Sequence, residues 1–342
     1  MTHDGFSWGR ALTQLLAGQA LSEDETSDAM VEIMEGAATP AQIAGFVVAL
    51  RAKGESADEL AGLVRVMRRY ARRLEAPADV LDTCGTGGDR AGTFNVSTAA
   101  AVVCAGAGVK VAKHGGRAAS SRCGSADVLE ALGVRIDLEP EAVAACIDRA
   151  GIGFCFAPVF HPAMRHAGAT RRELGIPTVF NFLGPLTNPA GARRQALGVS
   201  DPAMVDVMVE TLRRLGSEHV LAFVGHGGLD ELSTMGPSDV TELKGDGVER
   251  WTLDPRRLGI QPAALGDVAG GTPEHNAKIV RRVLEGAPGP ERDIVVLNAA
   301  AGLVAAGRAG SIEEGMQAAA AAVDEGAAAA ALDALVKASN SA

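Results

Sequence analysis

The feature that most limits the fold is a change of hydrophobic period near Val80. From Phe6 to about Leu74 the pattern is helical throughout, and no strand signal interrupts it. An N-terminal helix comes first; Ser22 with Glu25 spells a capping box for a second, and Thr39-Pro40 opens a third. From Val80 onward, short apolar runs end in glycine-rich turns, and each is followed by a helical pattern. That alternation predicts a βα repeat on a mainly parallel sheet. Strands are expected at Val80–Cys84, Val109–Ala112, Ile152–Phe156 and Val220–Val224. Helices are expected at Val96–Ala105, Ser125–Leu132, Glu141–Ala150, Pro202–Leu215, Pro273–Leu284 and Ile312–Lys337. Thr241–Leu253, centred on Gly245-Asp246-Gly247, reads as a hairpin. No internal repeat is visible.

A chain of 342 residues exceeds one compact unit, so two associated domains are expected. Its 47% hydrophobic content comes largely from small residues, with aromatics at 4%, which predicts a core in which backbones approach closely. The net charge of −10 opposes a nucleic acid backbone, and no basic run offsets it. The five cysteines include no C-x-x-C pair, which points to a reducing compartment. The first thirty residues carry Asp4, Glu23, Asp24 and Glu25 and lack a basic start with an apolar run, so no signal peptide or membrane span is expected. The expectation is a cytoplasmic protein with no nucleic-acid and no membrane partner.

The chemistry concentrates behind the strands. Asp82-Thr83-Cys84-Gly85-Thr86-Gly87-Gly88-Asp89 leads into Thr93-Phe94-Asn95-Val96-Ser97-Thr98. Glycines after a strand allow positive φ and leave N–H groups bare, and the next helix points its N-terminal N–H groups the same way. Such a loop either wraps a phosphate or merely joins strand to helix. It is no dinucleotide fingerprint, since Arg90 stands where G-x-G-x-x-G needs its third glycine, and no P-loop Lys-Ser/Thr follows. Lys113-His114-Gly115-Gly116-Arg117-Ala118-Ala119-Ser120-Ser121 leaves the next strand and ends close to Gly124-Ser125. A lysine, a forked arginine and small hydroxyls suit a second phosphate at the neighbouring strand end. Gly227-Gly228-Leu229-Asp230-Glu231 then brings adjacent carboxylates to the same sheet edge, as Mg²⁺ beside a diphosphate requires, or as a solvated acidic turn. Further on, Arg171 is placed either to clamp a carboxylate or on a solvated helix face, and Pro185 to line a flat aromatic pocket.

Taken together, the string Asp82–Thr98, the Lys-His-Gly-x-Arg-x-x-Ser-Ser segment, His161-Pro162-Ala163-Met164-Arg165, Asn181-Phe182-Leu183-Gly184-Pro185-Leu186-Thr187-Asn188-Pro189 and Gly-Leu-Asp-Glu resemble the anthranilate phosphoribosyltransferase family in order and spacing. Thr39–Leu60 and Asn298-Ala299-Ala300 are similar too, so the resemblance covers nearly the whole chain. It implies an α/β fold of nucleoside phosphorylase/phosphoribosyltransferase type: a small all-helical domain (1–76, joined by a later segment near 162–190) against a larger α/β domain (77–342) with a central, mainly parallel sheet. It further implies a homodimer that uses phosphoribosyl diphosphate, anthranilate and two Mg²⁺ ions. The residues implied for phosphoribosyl diphosphate are Gly85, Gly88, Asp89, Thr93, Asn95, Val96, Ser97, Thr98, Lys113, His114, Gly115, Gly116, Arg117, Ala118, Ala119, Ser120, Ser121 and Ser125. Those implied for anthranilate are Gly85, His114, Gly116, His161, Arg171 and Pro185; for metal, Ser97, Asp230 and Glu231. Gly116 departs from the family's usual Asn, which contacts anthranilate.

On this reading charge stabilisation of the departing diphosphate outweighs acid–base work. His114 either takes up the amine proton or is a structural histidine. Two rival readings are a pyrimidine nucleoside phosphorylase, opposed by the Asp230-Glu231 pair and the diphosphate-type loop, and a non-catalytic nucleic-acid-binding relative, opposed by the acidic charge.

Overall fold

The computed structural model describes residues 6–118 and 122–341. Four helices lead the chain: α1 (Trp8–Leu16), α2 (Glu23–Met34), α3 (Pro40–Lys53) and α4 (Ala57–Tyr70). Ser22 and Thr39 cap α2 and α3 in capping boxes with Glu25 and Gln42. Ser56 with Glu59 makes a third box and opens α4, which the uninterrupted helical pattern does not separate from α3.

The α/β part begins with β1 (Leu81–Gly85), α5 (Val96–Gly106), β2 (Val111–Gly115), α6 (Ser125–Ala131), α7 (Pro140–Ala150) and β3 (Ile152–Phe156). A helical excursion follows: α8 (Ala157–Phe160), α9 (Arg165–Leu174) and α10 (Phe180–Leu186). The chain returns through β4 (Arg194–Gly198), α11 (Val205–Arg214), β5 (His219–Val224) and the hairpin β6 (Ser238–Lys244) and β7 (Gly247–Leu253). It finishes with α12 (Pro273–Leu284), α13 (Pro290–Ala305), α14 (Ile312–Asp324) and α15 (Ala327–Asn340).

Among the described residues the strands form one sheet in the order β3-β2-β1-β4-β5-β6-β7, parallel up to β5 and antiparallel in the hairpin. Chain order runs outward from β1 to β3 on one side and from β4 onward on the other. The crossover therefore reverses beside β1, and a crevice opens at the carboxyl ends of β1 and its neighbours. Successive residues point to opposite faces of the sheet. Ala196, Leu221 and Phe223 join the core made with α5 and α13, whereas Leu197, Val220 and Ala222 join the core of the helical part. Phe180, Phe182 and Leu183 of α10 and Ala167 of α9 also belong to that second core.

Two elements stand outside the expected ones and one expectation is corrected. Strand β4 carries no apolar run, because its Arg194 and Gln195 are polar; Gln195 is buried and donates Nε2 to the Pro185 carbonyl at 2.8 Å. Helix α13 shows no one-sided stripe because every residue from Ile294 to Ala305 is buried. The expected single helix Ile312–Lys337 breaks at Gly326, with φ at +78°; the alanines on both sides favour helix equally and mark no boundary. No helix among the described residues is long and apolar enough to cross a membrane.

Candidate active site

The carboxyl ends of β1 and β2, the turn after β5 and α10 enclose a cleft of about 570 Å³. Its first wall is the loop between β1 and α5. Gly87 and Gly88 lie at φ +68° and +85°, a conformation that a side chain resists, so the backbone there carries no side-chain cover. The loop is tied down from several sides. The Thr86 hydroxyl meets Ser200 Oγ at 3.1 Å, and Ser200 Oγ donates to the Gly87 carbonyl at 2.7 Å. Asn95, at the head of α5, donates to the Cys123 carbonyl and accepts from Asn276 on α12 at 2.9 Å.

The second wall is the loop between β2 and α6, organised by Asp127 in the first turn of that helix. Its carboxylate accepts from Ala118 N at 3.0 Å and Gly124 N at 2.8 Å, and it also holds Arg117 Nη1 at 2.9 Å. Glu130 takes the same Arg117 nitrogen, and the guanidinium lies 5.7 Å over the Phe156 ring. One nitrogen of the Arg117 fork is thus held by two carboxylates of the helix that follows the loop.

Asp230 and Glu231 form the floor. Asp230 Oδ2 accepts from Gly87 N at 2.7 Å, and Glu231 Oε1 accepts from Ser97 N at 3.0 Å, at the positive end of α5. Two glycines make room for Asp230: a Cβ on Gly85 would collide with its carboxylate, and one on Gly198 with its carbonyl. Asn298 on α13 fixes the next residue through paired bonds to the Leu232 N–H and carbonyl at 2.8 and 2.9 Å. Burial, with Asp89 nearby, raises the Asp230 carboxyl to about 7. Burial and the Asp230 charge raise Glu231 to about 8.

Beneath the floor, Lys113 is buried and donates Nζ to the Thr83 carbonyl at 2.6 Å. Burial lowers its proton affinity, opposed by Asp82, Cys84 and Glu231. Asp82, fully buried on β1, accepts the His114 backbone N–H at 3.1 Å and so fixes the adjoining strand. His114 Nδ1 meets the Gly184 carbonyl at 3.0 Å; a carbonyl only accepts, so this nitrogen carries the hydrogen and Nε2 holds a lone pair with no partner. Burial first, then His161, lowers His114 to about 3; burial lowers His161 to about 4. Both rings are neutral at working pH, with centroids 5.1 Å apart.

Family models match nearly end to end. The helical bundle domain of a glycosyl transferase family covers residues 10–71, and its a/b domain covers 77–329. The anthranilate phosphoribosyltransferase of Pelotomaculum thermopropionicum is 54% identical over 328 residues, 96% of this chain and 95% of that protein. The chain belongs to the anthranilate phosphoribosyltransferase family. The crystal structure of the family member from Thermus thermophilus superposes with a TM-score of 0.90 at 45% identity, covering 96% of this chain and 99% of that one. The member from Saccharomyces cerevisiae, solved in complex with PRPP and Mg, has a TM-score of 0.89 at 29% identity, with 98% of each chain covered.

In this anthranilate phosphoribosyltransferase family member, every residue expected around phosphoribosyl diphosphate lines the cleft, apart from Ala119, Ser120 and Ser121, which lie outside the described residues. The expected metal residues Ser97, Asp230 and Glu231 line it too. Those expected around anthranilate divide. Gly85, His114 and Gly116 line the cleft, whereas His161, Arg171 and Pro185 stand outside its lining. His161 adjoins His114, and the Arg171 guanidinium lies 5.4 Å over the Phe180 ring without a carboxylate partner among the described residues. A Cβ at Gly116 would meet only Ala157 Cβ, at 4.0 Å, so space is left there. Asn181 also lines the cleft; its place is set by α10, and no motif chemistry marks it. The supporting Ser200 and Asn276 carry no sequence signal either, since each reaches the loops only through tertiary structure, whereas Asp127 acts locally, as the N3 residue that caps α6 through Gly124 N.

Proposed function

We propose that the cleft binds phosphoribosyl diphosphate and anthranilate and transfers the 5-phosphoribosyl group to the anthranilate amine. The products are N-(5-phosphoribosyl)anthranilate and diphosphate, a step of tryptophan biosynthesis. One observation carries the reading: two anion-suited loops and a buried carboxylate pair face a single cleft at the switch point of the sheet.

The residues present fit Mg²⁺. Asp230 and Glu231 are hard oxygen donors side by side, and their raised proton affinities mark a site short of positive charge. Asp89 Oδ2 is likewise buried without a partner. Among the described residues no three His, Cys, Asp or Glu side chains converge as a closed metal cage, so diphosphate and water would complete the shells. Ser97, Asp230 and Glu231 would hold the two proposed ions, which when bound neutralise the departing diphosphate.

The chain's own residues then orient the reaction. The N–H groups of the glycine loop and of the first turn of α5 that Asp230 and Glu231 do not hold bind phosphate oxygens. Lys113 stands under the floor with its Nζ on the Thr83 carbonyl. His114, neutral and with Nε2 free, accepts a hydrogen bond from the amine and turns its lone pair toward the anomeric carbon. As the C–N bond forms, the C–O bond to diphosphate breaks with its electron pair leaving on oxygen. The amine proton passes to water, because a histidine held this far down is a weak acceptor. Positioning and charge balance supply the rate gain.

Arg171, desolvated and without an acid partner, clamps the anthranilate carboxylate in this reading. The helical unit of residues 1–76 with 162–190 and the homodimer belong to the same proposal. The packing of α9 and α10 into the core of α2–α4 supports the first. The exposed Leu16 and Val48 on α1 and α3 support the second.

Changing Asp230 to Asn together with Glu231 to Gln is expected to abolish nearly all turnover while leaving a cooperative unfolding transition. A fluorescence assay of anthranilate consumption reads it, and activity in that variant unchanged from the wild type at limiting Mg²⁺ would reject the metal role.

A further inference from the structure

Arg90 is the one non-glycine residue with positive φ among the described residues, at +58°. It sits in the β1–α5 loop between Gly88 at +85° and Gly92 at +69°, and Asp89 Oδ1 locks the turn by accepting Ala91 N–H at 3.1 Å. A side chain in this left-handed region crowds its own backbone, a cost that glycine avoids. The side chain is exposed and lines the cleft. Its guanidinium has no carboxylate and no hydrogen-bond partner among the described residues.

The other charges of the cleft make that lack of a partner informative. Three carboxylates, Asp89, Asp230 and Glu231, line it, in a chain of net charge −10. Of the cations, Lys113 is buried on the Thr83 carbonyl and Arg117 is engaged by Asp127 and Glu130. Among the described residues Arg90 and Arg122 are the cleft-lining guanidinium groups left uncommitted. A polyanion approaching acidic walls needs free positive charge at the entrance, and a planar guanidinium offers paired donors to phosphate oxygens.

We infer that Arg90 is a substrate-binding residue that captures the phosphate oxygens of phosphoribosyl diphosphate, held by the loop in a conformation suited to glycine. The inference rests on the transferase reading above and adds to it a contact outside the residues expected from the family motifs. Arg90→Gly removes the charge while relieving the backbone, so loss of folding does not confuse the result. The variant is expected to raise KM for phosphoribosyl diphosphate about tenfold, the worth of one charge-assisted contact. It should also flatten the dependence of that KM on KCl, leave kcat and KM for anthranilate within about twofold, and melt no lower than the wild type. Arg90→Lys should recover part of the lost affinity. An unchanged KM at low salt in Arg90→Gly overturns the inference, as does an equal rise in both KM values. A wild-type protein with no turnover and no heat of binding to phosphoribosyl diphosphate with Mg²⁺ would instead remove the transferase reading itself.

Discussion

Burial and the adjoining His161 ring hold His114 down to about 3, which leaves its ring neutral and able to accept a hydrogen bond. The carboxylates of the floor move the other way. Asp230 and Glu231 bind protons more tightly in the fold than in the unfolded chain. The metal-free protein is therefore most favoured by these groups below about pH 4, and it loses that contribution as pH rises through about 7 and about 8. A divalent cation offsets the loss only where the groups are ionised. Millimolar Mg²⁺ is thus expected to raise the melting temperature at pH 8 by about 2–4 °C more than at pH 6, the scale of about 1 kcal/mol in a chain somewhat larger than those surveyed; equal shifts at both pH values would exclude the pair as metal ligands. Arg171 calls for a kinetic measurement. Arg171→Ala is expected to raise KM for anthranilate about tenfold or more while that for phosphoribosyl diphosphate changes little, and parallel increases would contradict the clamp.

Helix α13 lies at the centre of the α/β part and reaches its neighbours through small residues. A Cβ on Gly302 would stand 2.8 Å from Cys104 Sγ of α5 and 3.2 Å from Leu81 Cδ2 of β1. One on Gly315 of α14 would stand 2.8 Å from the Ala300 carbonyl. These approaches are what an alanine- and glycine-rich composition permits. They also position the site, because Asn298 on the same helix holds the residue after Glu231. Gly302→Val is expected to cost about 1–3 kcal/mol through overpacking, seen as a lower urea midpoint, with KM values unchanged in the folded fraction. An unchanged midpoint would show that α13 can move away from α5 without loss.

At the scale of the whole molecule, two hydrophobic cores share one sheet. Cys84, Leu197, Val220 and Ala222 face the helical part, and Ala196, Leu221 and Phe223 face α5 and α13. Backbone bonds from Arg72 N to the Phe160 carbonyl and from Leu74 N to the Pro189 carbonyl add to the join. Neither core is complete without the strands that also serve the other. Scanning calorimetry is therefore expected to give one cooperative endotherm, and a separate early transition of residues 6–76 would refute the shared core.

Much of this protein was determined by the sequence alone. The capping box at Ser22, the helix start at Thr39-Pro40, the ends of Ile152–Phe156 and Pro273–Leu284, and the glycine loops follow from local rules, since a cap, a period or a φ preference acts within a few residues. The motif residues from Gly85 to Thr98 and from Lys113 to Ala118 were likewise legible, because they are contiguous and each loop lines the cleft as one stretch of chain. Tertiary structure alone decided the rest. It set β4 as a central strand despite its polar start, the break at Gly326 and the engagement of Arg117 by α6. It also brought Asn181 to the cleft, buried His114 and desolvated Asp230 and Glu231. The physical reason is common to all of these. Burial, charge environment and the pairing of distant segments depend on what the fold places opposite a residue, and that partner can lie more than a hundred residues away, as Asp230 does from Gly87.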